Sequence, residues 1–204
     1  MSGNGFIMSG DIQGIIALSF SNRKVRVYMG EEAYFNQKSI MKVDGKIIEE
    51  LKAKARANAS GRYRLCMQHS PQDNLHEMFV VRSKGDYGRP DKHFYTTESH
   101  TIVDGTMLII LFEEDGRIKE VFELSKDSFR TYRIDTNMYH MQIPITDQVV
   151  YYEVKLGPFT EKSNVFPDWA PDPHDIERVA VFMEDLEKKI NNFVKKESHI
   201  ERKS

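Results

Sequence analysis

Short runs of β-forming residues, repeated at close intervals, constrain the fold of this chain more than any other feature. From Leu65 onward the runs are rich in Val, Ile, Tyr and Phe and are separated by turn residues: MFVVRS, HTIVDG, MLIILFE, IKEVFEL, FRTYRID, YHMQIP and VVYYEVKL. The sequence Glu114-Asp115-Gly116 between two of them predicts a tight hairpin. Many short antiparallel strands at this spacing favour a double-sheet jelly roll.

Helical periodicity flanks the β-rich region on both sides. Apolar residues at Ile47, Ile48, Leu51 and Ala55 recur at helical spacing and predict a helix over 44–59. A second amphipathic stripe follows residue 175 and comprises Val179, Phe182, Met183, Leu186, Ile190, Phe193 and Val194. The alternating run KVRVYM, residues 24–29, predicts a strand.

These patterns predict three parts of the chain. Residues 1–60 form an N-terminal extension of strand and helix that packs on the barrel. Residues 61–171 form the β-barrel domain, which ends in a proline-rich loop. Residues 172–204 form a C-terminal amphipathic helix and tail.

Composition narrows the function classes. At 204 residues, with 40% hydrophobic and 29% charged residues, the chain suits one globular domain with appendages. A net charge of -2 gives no electrostatic reason to expect nucleic acid as a partner. The single Cys66 excludes an intramolecular disulfide, and no apolar run approaches the roughly 20 residues that span a bilayer. We therefore expect a cytoplasmic protein with no membrane partner.

Four side chains with metal-binding chemistry occur at ordered spacing. In GDYGRPDKHFYTTESHTIVDG, residues 85–105, a glycine precedes Asp91 by six positions, His93 follows at the second position, and Glu98 comes five residues later. Residues at i and i+2 of a strand share a face, so Asp91 and His93 are predicted to project together. His140, in the later run DTNMYH, supplies a fourth group from another strand. Two imidazoles and two carboxylates suit Zn, Fe, Mn or Ni.

This spacing resembles the two motifs of the cupin superfamily, which are glycine, five residues, His-x-His, three or four residues, Glu, six residues, glycine, and later Pro-x-Gly-x-x-His. Here Asp91 stands where the first His is usual. Asp135 and Asn137 replace the proline and the glycine of the second motif, and His140 is in register. Asn tolerates the left-handed conformation better than other non-glycine residues. The resemblance implies a mainly β cupin double-stranded β-helix that binds a divalent metal ion through Asp91, His93, Glu98 and His140.

Three further segments are similar to the WbuC-type cupin metalloproteins, which occur with bacterial O-antigen and surface-polysaccharide genes: GRYRLCMQHSPQDNLHEMFV, LFEEDGRIKE and EVKLGPFTEKSNVFPDWAP. This resemblance implies a sugar or sugar nucleotide as ligand. Arg62 and Arg64, with His69 and His76, are candidates to contact its anionic part, because guanidinium groups bind phosphate bidentately. Tyr95 is a candidate for the sugar-binding wall. An arm that packs over the barrel mouth explains the same residues equally well.

Three functions follow from this set of residues. The first is a metal-dependent isomerase- or epimerase-type enzyme that acts on a sugar in surface-polysaccharide biosynthesis, with its catalytic base unassigned. The second is a non-catalytic binding module, in which Asp91 marks a lost active site. The third is an Fe-dependent dioxygenase, since many cupins hold iron. We also expect a homodimer, because cupins commonly pair through their sheets and the terminal strand and helix offer further apolar surface.

Overall fold

The computed structural model describes residues 33–160 and 163–201, without the side chains of the last four. The predicted strand at 24–29 lies outside this range. The described elements are β1 (Ala33–Phe35), α1 (Gly45–Ala57), β2 (Arg62–Cys66), β3 (Leu75–Ser83), β4 (Glu98–Asp104), β5 (Met107–Phe112), β6 (Ile118–Leu124), β7 (Thr131–Ile134), β8 (Tyr139–Pro144), β9 (Gln148–Leu156) and α2 (Ile176–Glu201).

The strands form two sheets. The larger sheet has six strands in the order β1-β2-β3-β9-β4-β7, and the smaller has three in the order β6-β5-β8. Pairing is antiparallel except between β1 and β2. The predicted hairpin joins β5 to β6, and Gly116 within it has a φ of +82°. A mainly β chain with two sheets, a helix before them and a helix after them confirms the fold class predicted from the sequence.

The apolar residues lie in three layers. Met107, Ile109 and Leu111 of β5 belong to the core between the sheets, in contact with residues of the larger sheet such as Val80 and Val149. The alternate residues of β5 pack instead against α2 on the outer side of the smaller sheet. Because β5 is covered on both faces, its sequence is continuously apolar and does not alternate.

Helix α1 covers the outer face of the larger sheet. The Asp44 side chain caps this helix by accepting a hydrogen bond of 3.0 Å from the Ile47 amide. Ile48 and Leu51 pack with Tyr63 and Leu65, the residues of β2 that alternate with Arg62 and Arg64. The same alternation directs Arg62 and Arg64 to the opposite face of the larger sheet, the inner face, which lies away from α1.

In the part of the chain that the structure describes, neither α1 nor α2 is long and apolar enough to cross a membrane.

Packing of α2 can be tested by one pair of valines on the same helix. Val179 is 0% exposed and belongs to the core, whereas Val181 is 67% exposed. Val179→Ala removes two buried methyl groups and should lower the free energy of unfolding by about 2 kcal/mol. Val181→Ala should change it by less than about 0.5 kcal/mol. Urea denaturation of both variants measures this difference, and equal losses would mean that α2 does not pack as described.

Candidate metal centre

Backbone hydrogen bonds bring the four predicted ligands together from distant parts of the chain. The Asp91 amide donates to the His140 carbonyl at 3.2 Å, and the His140 amide donates to the Asp91 carbonyl at 3.0 Å. The Asn137 amide donates to the His93 carbonyl at 2.7 Å. Asn137 has a φ of 64°, the left-handed conformation for which the sequence motif uses glycine. The segment 91–93 is thereby joined to β8 of the smaller sheet, while Glu98 begins β4 of the larger one.

The side chains converge on the Glu98 carboxylate. Glu98 Oε1 lies 2.7 Å from His140 Nε2, and Glu98 Oε2 lies 3.2 Å from His93 Nε2. Asp91 is farther away, with its oxygens 3.8 Å from His140 Nε2 and 3.9 Å from His93 Nε2. Glu98, His93 and His140 are buried, and Asp91 is partly exposed. Asp91, His93 and His140 can each present one donor atom to a common point, whereas Glu98 forms such a group with His100 and Glu153. The contacts of Glu98 with His93 and His140 place the two groups side by side.

Hydrogen bonds at the far side of each imidazole set its orientation. His93 Nδ1 lies 2.9 Å from the Ser163 carbonyl oxygen, and His140 Nδ1 lies 3.1 Å from the Met138 carbonyl oxygen. A carbonyl can only accept, so each Nδ1 carries the proton, and in the neutral ring each Nε2 keeps its lone pair. This is the arrangement that metal-binding histidines adopt.

The Glu98 carboxylate shows that this cluster needs positive charge. Its Oε1 atom is buried without a hydrogen-bond partner, although His140 Nε2 is close by. A carboxylate that faces two imidazole lone pairs is repelled by them unless a proton or a cation lies between. The donor set and the orphaned oxygen both fit a divalent ion, which Asp91, His93, Glu98 and His140 would hold.

Protons can supply this charge in metal-free protein. Burial acts to lower the pKa of His140, but the Glu98 and Asp91 carboxylates outweigh it and raise that pKa to about 9. The pKa of His93 is also raised, because Glu98 outweighs the effect of burial. Burial acts to raise the pKa of Glu98, but the charges of His100 and His140 hold it well below its ordinary value. Burial raises the pKa of Asp91.

A second set of buried polar residues adjoins these ligands, and the sequence analysis did not assign it. His100 Nε2 lies 3.7 Å from Glu98 Oε1 and 3.6 Å from Glu153 Oε2, and His100 Nδ1 lies 2.5 Å from Tyr132 Oη. Glu153 pairs with Lys155 at 3.0 Å. A sequence signal existed, because Glu153 and Lys155 occupy alternate positions of the otherwise apolar strand VVYYEVKL.

The four predicted ligands line a cavity of about 280 Å³. Arg62 and Arg64 line it as well. Further lining comes from β3, β8, β9 and the proline-rich loop, namely from Arg82, Gln142, Tyr151, Lys155, Phe159 and Phe166. The cavity thus joins a group of imidazoles and carboxylates to a group of cations.

The other predicted ligand-contacting residues lie apart from this cavity lining. His69 Nδ1 bonds the Asn36 carbonyl at 2.8 Å. His76 is buried, its Nε2 lies 3.1 Å from the Pro71 carbonyl oxygen, and it borders a small neighbouring cavity that His93 also lines. Tyr95 is 89% exposed. Of the five substrate-contacting candidates, the fold brings Arg62 and Arg64 into the cavity.

Comparison with known proteins gives a family match and likenesses of fold. A family described as a domain of unknown function (DUF6016) matches residues 43–124. No curated protein matches the chain. The capsular polysaccharide assembling protein CapF from Staphylococcus aureus is similar over 51% of this chain and 31% of its own, with 16% identity and a TM-score of 0.43. KdgF from Halomonas sp. is similar over 49% of this chain and 81% of its own, with 17% identity and a TM-score of 0.39.

A third solved structure, oxalate oxidase in complex with the substrate analogue glycolate, is similar over 46% of each chain, with 14% identity and a TM-score of 0.38. All three are cupin-fold proteins. The matched part of this chain spans about a third of the length of CapF.

Metal binding can be measured directly by elemental analysis of protein purified without chelator. We expect near-stoichiometric divalent metal in the natural chain, and at least about a hundredfold weaker binding in His140→Ala, because a ligand is lost and Glu98 is left without a counter-charge. His174→Ala is the matched control, since His174 is exposed and does not itself line the cavity. Equal metal content in both variants, or none in the natural chain after reconstitution, would contradict the site.

Metal-free protein should lose stability as the pH rises. The pKa of His140 is about 9 in the folded chain against an ordinary value of 6.5, so its contribution is fully present below pH 6.5 and disappears as the pH rises through 9. We expect a loss on the order of 3 kcal/mol in the free energy of unfolding over this window. Urea titrations in chelator at several pH values measure it. His140→Gln should flatten the profile, and His174→Gln should leave it unchanged.

Proposed function

We propose that this protein is a metal-dependent cupin enzyme that acts on a monosaccharide-sized, sugar-like substrate. The observation that carries the proposal is a cavity lined by Asp91, His93, Glu98 and His140 together with cationic side chains. A divalent ion bound there would polarise a carbonyl oxygen or stabilise negative charge developing on it. Isomerisation or epimerisation of a sugar needs this assistance together with a base.

Asp91 is our candidate for that base. Glu98 lies closer to both histidines than Asp91 does, and Asp91 is the more exposed of the two carboxylates. Burial raises the pKa of Asp91 toward the range in which a carboxylate accepts a proton effectively. In this arrangement His93, Glu98 and His140 hold the ion, and Asp91 either completes the set of ligands or moves a substrate proton.

The size of the cavity limits the substrate. Ligand pockets in proteins typically measure about 300–1,000 Å³, and this cavity, at about 280 Å³, lies at the lower end. It suits a single sugar unit. If the substrate is a sugar nucleotide, only its sugar end enters the cavity. Tyr151 and Phe159 in the lining offer apolar surface against which a sugar ring packs.

We infer the family and the biological role from the sequence resemblance. The segments quoted above support membership of the WbuC-type cupins and a role in bacterial surface-polysaccharide biosynthesis. We also propose a cytoplasmic location, the three-part division at residues 60 and 171, and a homodimer, which a light-scattering mass of one chain would contradict.

A non-catalytic binding module is the second candidate. The observation that favours it is Asp91, which replaces the usual first histidine and lies more than 3.5 Å from both imidazoles. Such a module would bind a sugar without turning it over.

Turnover distinguishes the two candidates. We expect the metal-loaded protein to exchange the hydrogen next to the carbonyl of an aldose or ketose with D₂O, as followed by proton NMR. Asp91→Asn should slow this exchange by about 10²- to 10⁴-fold while retaining metal, if Asp91 is the base. Asp135→Asn, at an exposed aspartate, is the matched control. Sugars that raise the melting temperature without any exchange would favour the binding module.

A further inference from the structure

Two groups of three converging donors line the cavity: Asp91, His93 and His140 in the first, and Glu98, His100 and Glu153 in the second. We propose that the second group binds a divalent cation of its own, so that the loaded protein holds a pair of ions joined by the Glu98 carboxylate. This inference rests on the proposed function for what the ions do to a sugar. Binding of the second ion rests on the donors themselves and can be measured without turnover.

The larger sheet fixes the geometry of the second group. His100 lies directly opposite Glu153 of β9 on one side and Tyr132 of β7 on the other. Glu98 lies two residues before His100 on β4, so the two side chains project from the same face. All three donors therefore stand on paired strands, which hold metal ligands more precisely than loops do.

The separations of the donor atoms fit a shared cation better than direct hydrogen bonds. His100 Nε2 lies 3.7 Å from Glu98 Oε1 and 3.6 Å from Glu153 Oε2. Both distances exceed the roughly 2.7–3.2 Å of an N–H···O hydrogen bond. Two donors that each lie about 2.0–2.2 Å from one divalent ion are about 3.0–4.2 Å apart. The second group therefore has the spacing of metal ligands.

Burial makes these donors costly to leave without a partner. His100, Glu98 and Glu153 are only 1%, 4% and 4% exposed. Glu98 Oε1, the oxygen that approaches His100, is buried and has no hydrogen-bond partner. A buried carboxylate oxygen has lost the hydration that it had in water, and a cation would replace that hydration.

The position of the Glu98 carboxylate suits a bridging ligand. Its Oε2 atom lies 3.2 Å from His93 Nε2 of the first group. Its Oε1 atom lies 2.7 Å from His140 Nε2 of the first group and 3.7 Å from His100 Nε2 of the second. The carboxylate therefore lies between the two groups and can offer an oxygen to an ion in each.

Contacts on the outer side of the second group leave its inner atoms available. His100 Nδ1 lies 2.5 Å from Tyr132 Oη, a hydroxyl oxygen that can accept a hydrogen bond and so leave the Nε2 lone pair for an ion. Lys155 Nζ donates to Glu153 Oε1 at 3.0 Å, whereas Glu153 Oε2 faces His100. Because the Lys155 ammonium group repels a nearby cation, the second group should be the weaker of the two sites.

A pair of ions narrows the proposed substrate. Two-metal sites hold their ions about 3.5–4 Å apart and bind two oxygens of one substrate. An aldose or ketose offers such oxygens in its carbonyl group and the adjacent hydroxyl group. We therefore infer that the substrate is an α-hydroxycarbonyl sugar bound through both oxygens.

Titration of chelator-treated protein with Mn²⁺ tests the proposal, because the sharp EPR signal of aqueous Mn²⁺ is lost on binding and so reports the number of bound ions. We expect two ions per chain, the second bound at least about tenfold more weakly because of Lys155. A signal from magnetically coupled Mn²⁺ should appear only as the second ion binds, since the two ions share a carboxylate. One ion per chain, or two ions without coupling, would overturn the proposal.

Variants assign the second ion to its ligands. Glu153→Gln keeps the volume of the side chain but removes its charge, and His100→Gln removes the imidazole. Each should weaken the second ion at least about tenfold and leave the first bound. Glu184→Gln, at an exposed glutamate outside the cavity lining, is the matched control and should keep both ions. Glu153→Gln also covers the case in which His100→Gln does not fold.

Two ions of natural affinity in the folded Glu153→Gln variant would contradict the assignment, as would loss of both ions together. The result is separable from the proposed function. A coupled pair of ions without any sugar turnover would refute the proposed enzyme and leave the second site standing. Turnover by protein that binds a single ion would refute the second site and leave the enzyme standing.

Discussion

The buried carboxylate of Glu98 is the constraint on which the site depends. It faces the Nε2 atoms of His93 and His140, whose protons are held on the opposite ring nitrogens by backbone carbonyls. This geometry is stable only if positive charge lies between the three groups. A divalent ion provides that charge, and protons provide it in its absence. Metal affinity, proton uptake and stability are therefore linked through one residue.

The surrounding fold explains how such a charged cluster is tolerated. Apolar layers lie between the sheets and beneath both helices, and many of the buried charged side chains line the cavity. Within that region the imidazoles and carboxylates adjoin a set of arginines that share Asp86. A divalent ion among the imidazoles and carboxylates would balance the negative charge of that group.

Local sequence patterns predicted much of this architecture. The stripe of Ile47, Ile48, Leu51 and Ala55 predicted α1, because amphipathic periodicity acts over a few residues. The continuous run of β5 and the hairpin at Gly116 were readable for the same reason. Asn137 was recognised as a substitute for glycine, and the structure places it in the left-handed conformation. The sequence analysis grouped Asp91, His93 and Glu98, because their spacing lies within a single segment of chain.

The sequence by itself determined most of the helices and strands, their order, and the grouping of Asp91, His93 and Glu98, since these depend on periodicity and short-range spacing. Only the tertiary structure decided which other side chains share the cavity. β9 lies between β3 and β4, so Glu153 and Lys155 reach the site through pairing with strands far away in sequence. Arg82 meets Arg62 for the same reason, whereas Tyr95 is exposed despite its closeness to His93 in sequence. Strand order is set by burial across the whole chain, and no local pattern encodes it.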